Sequence, residues 1–224
     1  MSLNTAEKFL ILAHHPEKGR FIVRGVQLSY GLVGALLLDM SLENIVSVQD
    51  NRLIYRSSGI GKDEVISELS AVIRQSEKAK KVGTWIGRFA RKSRRYRWAI
   101  LSQLADKRVI RIEDKKFLGL IPYKKTYIID NSIRAELIRT ARNNLLFHKD
   151  LTDENVVVLG LIEACRMHRI LSTDREELKK IRKDLKEIIK ASPIAGVLSE
   201  TIKQVQAAVI AAVIASSAAS SGGH

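Results

Sequence analysis

The chain has 224 residues, 46% of them hydrophobic, with 38 Lys+Arg against 24 Asp+Glu and a net charge of +14. That is enough chain to bury a core, and the charge calls for a polyanionic partner: nucleic acid, an anionic membrane surface or an acidic protein. The single cysteine, Cys165, excludes an intramolecular disulfide and fits a reducing, cytoplasmic compartment; no secretory-signal pattern stands out, and the long uncharged run at 204–223 is mostly Ala, Ser and Gly, so no transmembrane segment is expected.

Asn4 or Thr5 caps a first short helix carrying Phe9, Ile11 and Leu12, which Pro16 and Gly19 stop. Residues 25–40 form a helix that is almost uncharged on every face, which predicts burial by other helices. Residues 45–49, the pair Asp50-Asn51 and residues 52–56 read as a β-hairpin with a two-residue turn. Ser57, Ser58, Gly59 and Gly61 break the pattern, and Asp63 opens an amphipathic helix through Ile73. A polar connection, SEKAKKVG, precedes an arginine-dense helix, RFARKSRRYRWAILSQLADK, and a second hairpin that goes out over 109–112 and returns over 123–129. Asn131 opens a helix to about Leu145. Asp153 opens an apolar helix through Ile170, and Ser172 with Glu176 or Glu177 resembles a capping box before a charged helix ending near Lys190. Ser192-Pro193 begins the last helix. The sum is a mainly α, single globular domain with two β-hairpins, spanning 1–215, followed by a disordered tail at 216–224.

At 100° per residue, Phe89, Ser93, Tyr96, Ile100 and Leu104 share one face of the basic helix. Arg88, Arg91, Lys92, Arg94 and Arg95 occupy the opposite arc, and Arg97 lies at the edge. Arg94 and Arg97 are i,i+3 neighbours, so both guanidinium groups can converge on one phosphate. No Asp or Glu falls between Val82 and Ala105, and unrelieved like charge argues against a merely solvated face. The second hairpin sets Phe117, Leu118, Leu120 and Ile121 between the pairs Lys115-Lys116 and Lys124-Lys125. Those apolar residues either fold back as core or stand exposed as an interfacial anchor. In the second case each contributes roughly 1.5–3 kcal/mol, and each nearby Lys or Arg about 1 kcal/mol at an anionic leaflet. A helix followed by a hairpin is also the order of a winged helix, so the alternative is a nucleic-acid-binding protein, although wing tips usually carry polar or basic residues.

Other motifs offer less chemistry. His14-His15 lie about 100° apart on a helix, a poor chelating pair read as surface histidines. Cys165-x-x-His168 supplies two ligands where structural zinc needs four, so Cys165 reads as a buried thiol. Gly59-Ile-Gly-Lys62 lacks the spacing of a phosphate loop, with Asp63 where Ser or Thr belongs. The expectation is no catalytic residue, no cofactor and no metal: not an enzyme.

Four stretches in order resemble the Golgi phosphoprotein 3 family of peripheral membrane proteins. They are AEKFLIL at 6–12 with Glu17-Lys18-Gly19, the glycine-leucine-x-glycine helix at 31–39, Gly83-Thr84-Trp85 with the arginine pair and hairpin that follow, and the alanine- and valine-rich last helix from Pro193. The resemblance implies a buried hydrophobic helix, residues 28–38 or 156–162, surrounded by amphipathic helices. It implies binding of phosphatidylinositol 4-phosphate, with Arg94 and Arg97 contacting the headgroup, Phe117, Leu118 and Leu120 entering the bilayer, and a capacity for self-association. Localisation would be cytoplasmic, peripheral at the cytosolic face of a membrane. Val33 stands where the family's lipid binders have arginine and Arg24 where they have tryptophan, so Arg24, or Arg20, is expected to supply the headgroup charge from another direction. The disordered N-terminal extension of the Golgi members and the glycine-arginine-leucine after the second helix are missing from the match.

Overall fold

In a computed structural model, which describes residues 2–23, 25–56, 63–118, 120–147, 151–191 and 197–221, Asn4 caps α1 (Thr5–Ala13). Its side chain accepts from the Glu7 N–H while the Glu7 carboxylate accepts from the Asn4 N–H. Two further N–H groups of that first turn, on Thr5 and Ala6, donate to Asp39 at 2.7 and 2.9 Å. Asp39 belongs to α2 (Gly25–Leu42), and burial pushes its carboxyl up to about 6 in spite of those bonds. Glu7 is itself buried and meets Lys107 at 2.7 Å.

Because α2 is apolar all round, it needs partners on every side. It packs against α1, α4 (Val82–Ala90), α5 (Ser93–Asp106), α7 (Asp153–Ala164) and α9 (Val197–Ser221). It is 18 residues long with a mean hydropathy of 1.3, long and apolar enough to cross a membrane, a property the sequence reading did not single out. Here that hydrophobicity makes the core: Leu32, Val33, Leu36, Leu37, Leu38 and Met40 are all fully buried. Both candidate buried stretches are core, since α7 is lined by Val156, Val157, Leu159 and Ile162. Around them stand α3 (Glu64–Arg74), capped by Asp63, α6 (Asn131–Phe147) and α8 (Arg175–Ala191). The mainly α single domain is as expected, and α9 continues to Ser221, past residue 215.

Glycine permits two close approaches in this core. A Cβ on Gly31 would come within 2.5 Å of both the Phe9 ring and the Cys165 sulfur. On Gly160 it would lie 1.4 Å from Nε2 of Gln206, a buried amide of α9 laid across α7 whose nitrogen has no hydrogen-bond partner among the described residues. Gly160→Ala therefore forces the Gln206 side chain off its place on α7, and overpacking of this kind costs about 1–3 kcal/mol. A thermal melt should show a lowered midpoint; an unchanged midpoint would mean that Gln206 swings away freely.

Two hairpins complete the fold. β1 (Val46–Gln49) pairs antiparallel with β2 (Arg52–Tyr55) through Asp50 and Asn51, whose φ values of 48° and 59° suit the tight two-residue turn expected there. β3 (Ile110–Phe117) pairs antiparallel with β4 (Ile121–Ile128), longer strands than the sequence suggested. Three boundaries differ from expectation. The basic helix is two helices, α4 and α5, separated by a turn at Arg91-Lys92. In an unbroken helix Arg88, Arg91, Lys92 and Arg95 would stack at i,i+3 and i,i+4, and the turn relieves that repulsion. The apolar helix α7 stops at Ala164, where Arg166 takes a left-handed φ of 54° and a separate 3-10 turn follows at His168–Ile170. And α8 is capped by Asp174, which accepts from the Glu177 N–H at 2.7 Å, with Ser172 supporting Asp174 from behind.

Candidate functional site

The face assigned to the core is buried throughout: Phe89, Ser93, Tyr96, Ile100 and Leu104 all point inward. The opposite arc is exposed, but its charges are less uniform than the local sequence implied, because an acid arrives from α3. Glu68 binds Arg95 at 2.8 Å and Lys92 at 3.4 Å. Arg88 lies over the Trp85 ring at 5.4 Å, where Lys80 also stacks. Arg94 and Arg97 form no salt bridge among the described residues. Arg94 is exposed and Arg97 half-buried. Burial first, and the neighbouring Arg94 charge second, hold the Arg97 guanidinium below its ordinary value. Two cations thus sit one turn apart at the start of α5, and one of them is partly stripped of water.

The hairpin answers the question its apolar tip raised. Phe117, Leu118, Leu120 and Ile121 are 59%, 81%, 83% and 62% exposed. They do not fold back as core. Burial along β3 and β4 is confined to the base, at Ile110, Thr126 and Ile128, so the distal half is an arm in solvent on both faces. Its cations are partly matched, Glu113 with Arg111 and Lys115 and, more distantly, Asp114 with Lys124, while Lys116 and Lys125 form no salt bridge among the described residues.

One loop, between α1 and α2, joins the arm to the arginine pair, and sequence reasoning missed it. His14 is not a surface residue: it is buried, in edge contact with Phe21. Its Nδ1 donates to the His15 carbonyl at 2.7 Å, which leaves Nε2 to accept from the Thr126 hydroxyl of β4 at 2.9 Å, and burial holds the ring's pKa below its ordinary value. A Cβ on Gly19 would meet the Tyr127 ring of β4 at 2.8 Å, and Arg111 covers that ring. Phe21 in turn lies under the Arg97 guanidinium at 5.6 Å. Sequence position gave no sign of this, since the contacts of the loop with β4 and with Arg97 join residues more than seventy positions apart.

Other expected positions add nothing to the described site. Val33 is buried in the core and lines no surface. Arg24 and the stretch Gly59 to Lys62 lie outside the described residues. Arg20, the other residue considered for the same charge, is exposed. Cys165 is a buried thiol pushed up to about 12 by burial, facing the Gln27 carbonyl at 3.5 Å, while His168 pairs with Glu163. No cluster of three metal-binding side chains occurs among the described residues.

A family model described as Golgi phosphoprotein 3 (GPP34) matches residues 5–208. No curated protein matches the chain.

Proposed function

The chain belongs to the Golgi phosphoprotein 3 family, and on that premise we propose that it is a non-enzymatic peripheral membrane protein that binds an anionic, phosphoinositide-like lipid. The observation that carries this reading is the exposed apolar tip of the β3–β4 arm, flanked by lysines and joined through one loop to Arg97, which with Arg94 forms no salt bridge among the described residues. Insertion of Phe117, Leu118 and Leu120 supplies affinity without headgroup discrimination, whereas Arg94 and Arg97 take the phosphate through charge-assisted hydrogen bonds. Phosphatidylinositol 4-phosphate is the headgroup that the family resemblance favours, with Arg24 as a further contact and the cytosolic face of a membrane as the location. Residues 1–215 act as the lipid-binding unit. The test is co-sedimentation with vesicles containing phosphatidylinositol 4-phosphate: recovery in the pellet is expected, and a protein left in the supernatant contradicts the reading.

Phe21 gives a finer prediction in the same assay. Its ring holds Arg97 by a cation–π contact, worth about 0.5–2 kcal/mol. Phe21→Leu keeps an apolar side chain but loses the ring face, so vesicle affinity should fall by roughly 2- to 30-fold, while Phe21→Tyr retains it. Equal loss in both variants would mean that the ring acts only by packing.

A further inference from the structure

A second group of cations lies away from the arm, around a cleft of about 440 Å³ formed where the end of α7, the turn after it, α8 and α9 meet. Arg166, Arg182 and Lys186 line it, the buried His168 and its partner Glu163 stand at its wall, and Ala164, Ile210 and Val213 give it an apolar side. The volume is that of a small-molecule site.

The charges there are not those of an ordinary solvated helix. On α8, Glu176 pairs with Lys179, Glu177 with Arg142 and Glu187 with Lys183. The cations that face the cleft have no salt bridge among the described residues, although Arg182 and Lys186 are i,i+4 neighbours that repel one another. Glu163 does not neutralise them fully: its Oε2 is bound to His168 Nε2, and its carboxyl is held below the usual range by that bond first and by Lys186 and Arg182 after it. Its other oxygen, Oε1, has no hydrogen bond among the described residues and can accept one. Counting Arg166, Arg182 and Lys186 against Glu163, the lining leaves an excess of two positive charges when His168 is neutral.

From this arrangement we infer a binding site for a phosphomonoester that also carries a hydroxyl, a polyol phosphate. The dianionic phosphate sits among Arg166, Arg182 and Lys186, the hydroxyl donates to Glu163 Oε1, and the carbon skeleton lies on Ile210 and Val213. Such a group occurs in soluble metabolites and in lipid headgroups. The soluble source fits better, because no residue lining the cleft belongs to the arm or to α5.

Calorimetric titration with glycerol 3-phosphate and with inorganic phosphate tests this. Saturable binding at millimolar concentration or below is expected, tighter for glycerol 3-phosphate. Arg182→Ala/Lys186→Ala, both exposed, should weaken it by about tenfold for each cation removed, and Glu163→Gln should narrow the gap between the two probes. Arg94→Ala/Arg97→Ala should leave both titrations unchanged, and Arg182→Ala/Lys186→Ala should leave vesicle binding unchanged, so this site and the arm stand or fall separately. Absence of saturable binding, or its loss with Arg94 and Arg97 instead, overturns the inference. Loss of binding to vesicles containing phosphatidylinositol 4-phosphate, whose headgroup is a polyol phosphomonoester, in Arg182→Ala/Lys186→Ala would overturn the soluble source.

Discussion

Arg94→Ala/Arg97→Ala should lower affinity for vesicles bearing a phosphorylated headgroup by at least about two orders of magnitude, on the basis of 1.5–3 kcal/mol for each charge-assisted hydrogen bond lost. The effect is large because no acid in the described structure competes for either guanidinium, in contrast to Arg95 and Lys92, which Glu68 already engages. Arg95→Ala is therefore the internal control and should cost much less. The fold should survive, since Arg94 is exposed and Arg97 loses only its contact with Phe21. Vesicle flotation measures the outcome, and an affinity within threefold of the unaltered protein would place the headgroup elsewhere.

Leu118→Asp/Leu120→Asp should have the larger effect, reducing vesicle binding by more than about a thousandfold. Two leucines lost from the interfacial layer cost roughly 1.5–3 kcal/mol each, and two carboxylates brought to an anionic leaflet add about 1 kcal/mol each by repulsion. Stability should be unchanged, because both side chains are more than 80% exposed and the left-handed φ of 49° at Leu118 suits Asp better than Leu. The same variant separates the lipid reading from a winged-helix reading. Groove binding by α5 would use its arginines and would be indifferent to an apolar arm tip, so duplex affinity would survive the change. Retained vesicle binding would show that the tip contributes no anchor.

Much of this was legible from one-dimensional pattern, for a physical reason in each case. The uncharged run of α2 could only be satisfied by burial, Asn4 offered a cap for the first helix, and Asp50-Asn51 a tight turn. The inward face of α5 was readable because helical periodicity is fixed by backbone geometry. What was not legible depends on contacts between distant segments. Glu68 sits far outside the acid-free window that made the basic arc look uniformly unpaired. The buried His14 is held by a hydrogen bond with Thr126, 112 positions away, and the exposure of the arm tip depends on what the rest of the domain fails to cover. The break at Arg91-Lys92 and the left-handed Arg166 lack the Gly or Pro that usually announces such points.

The most direct measurement is the fraction of protein bound to vesicles of neutral phosphatidylcholine and to vesicles of the same lipid doped with phosphatidylinositol 4-phosphate, at low and physiological salt. An arm with a charged pair predicts strong binding to the doped vesicles, weak residual binding to the neutral ones, and a difference that shrinks as salt screens the arginines without vanishing. Equal binding to both vesicle types would contradict the account.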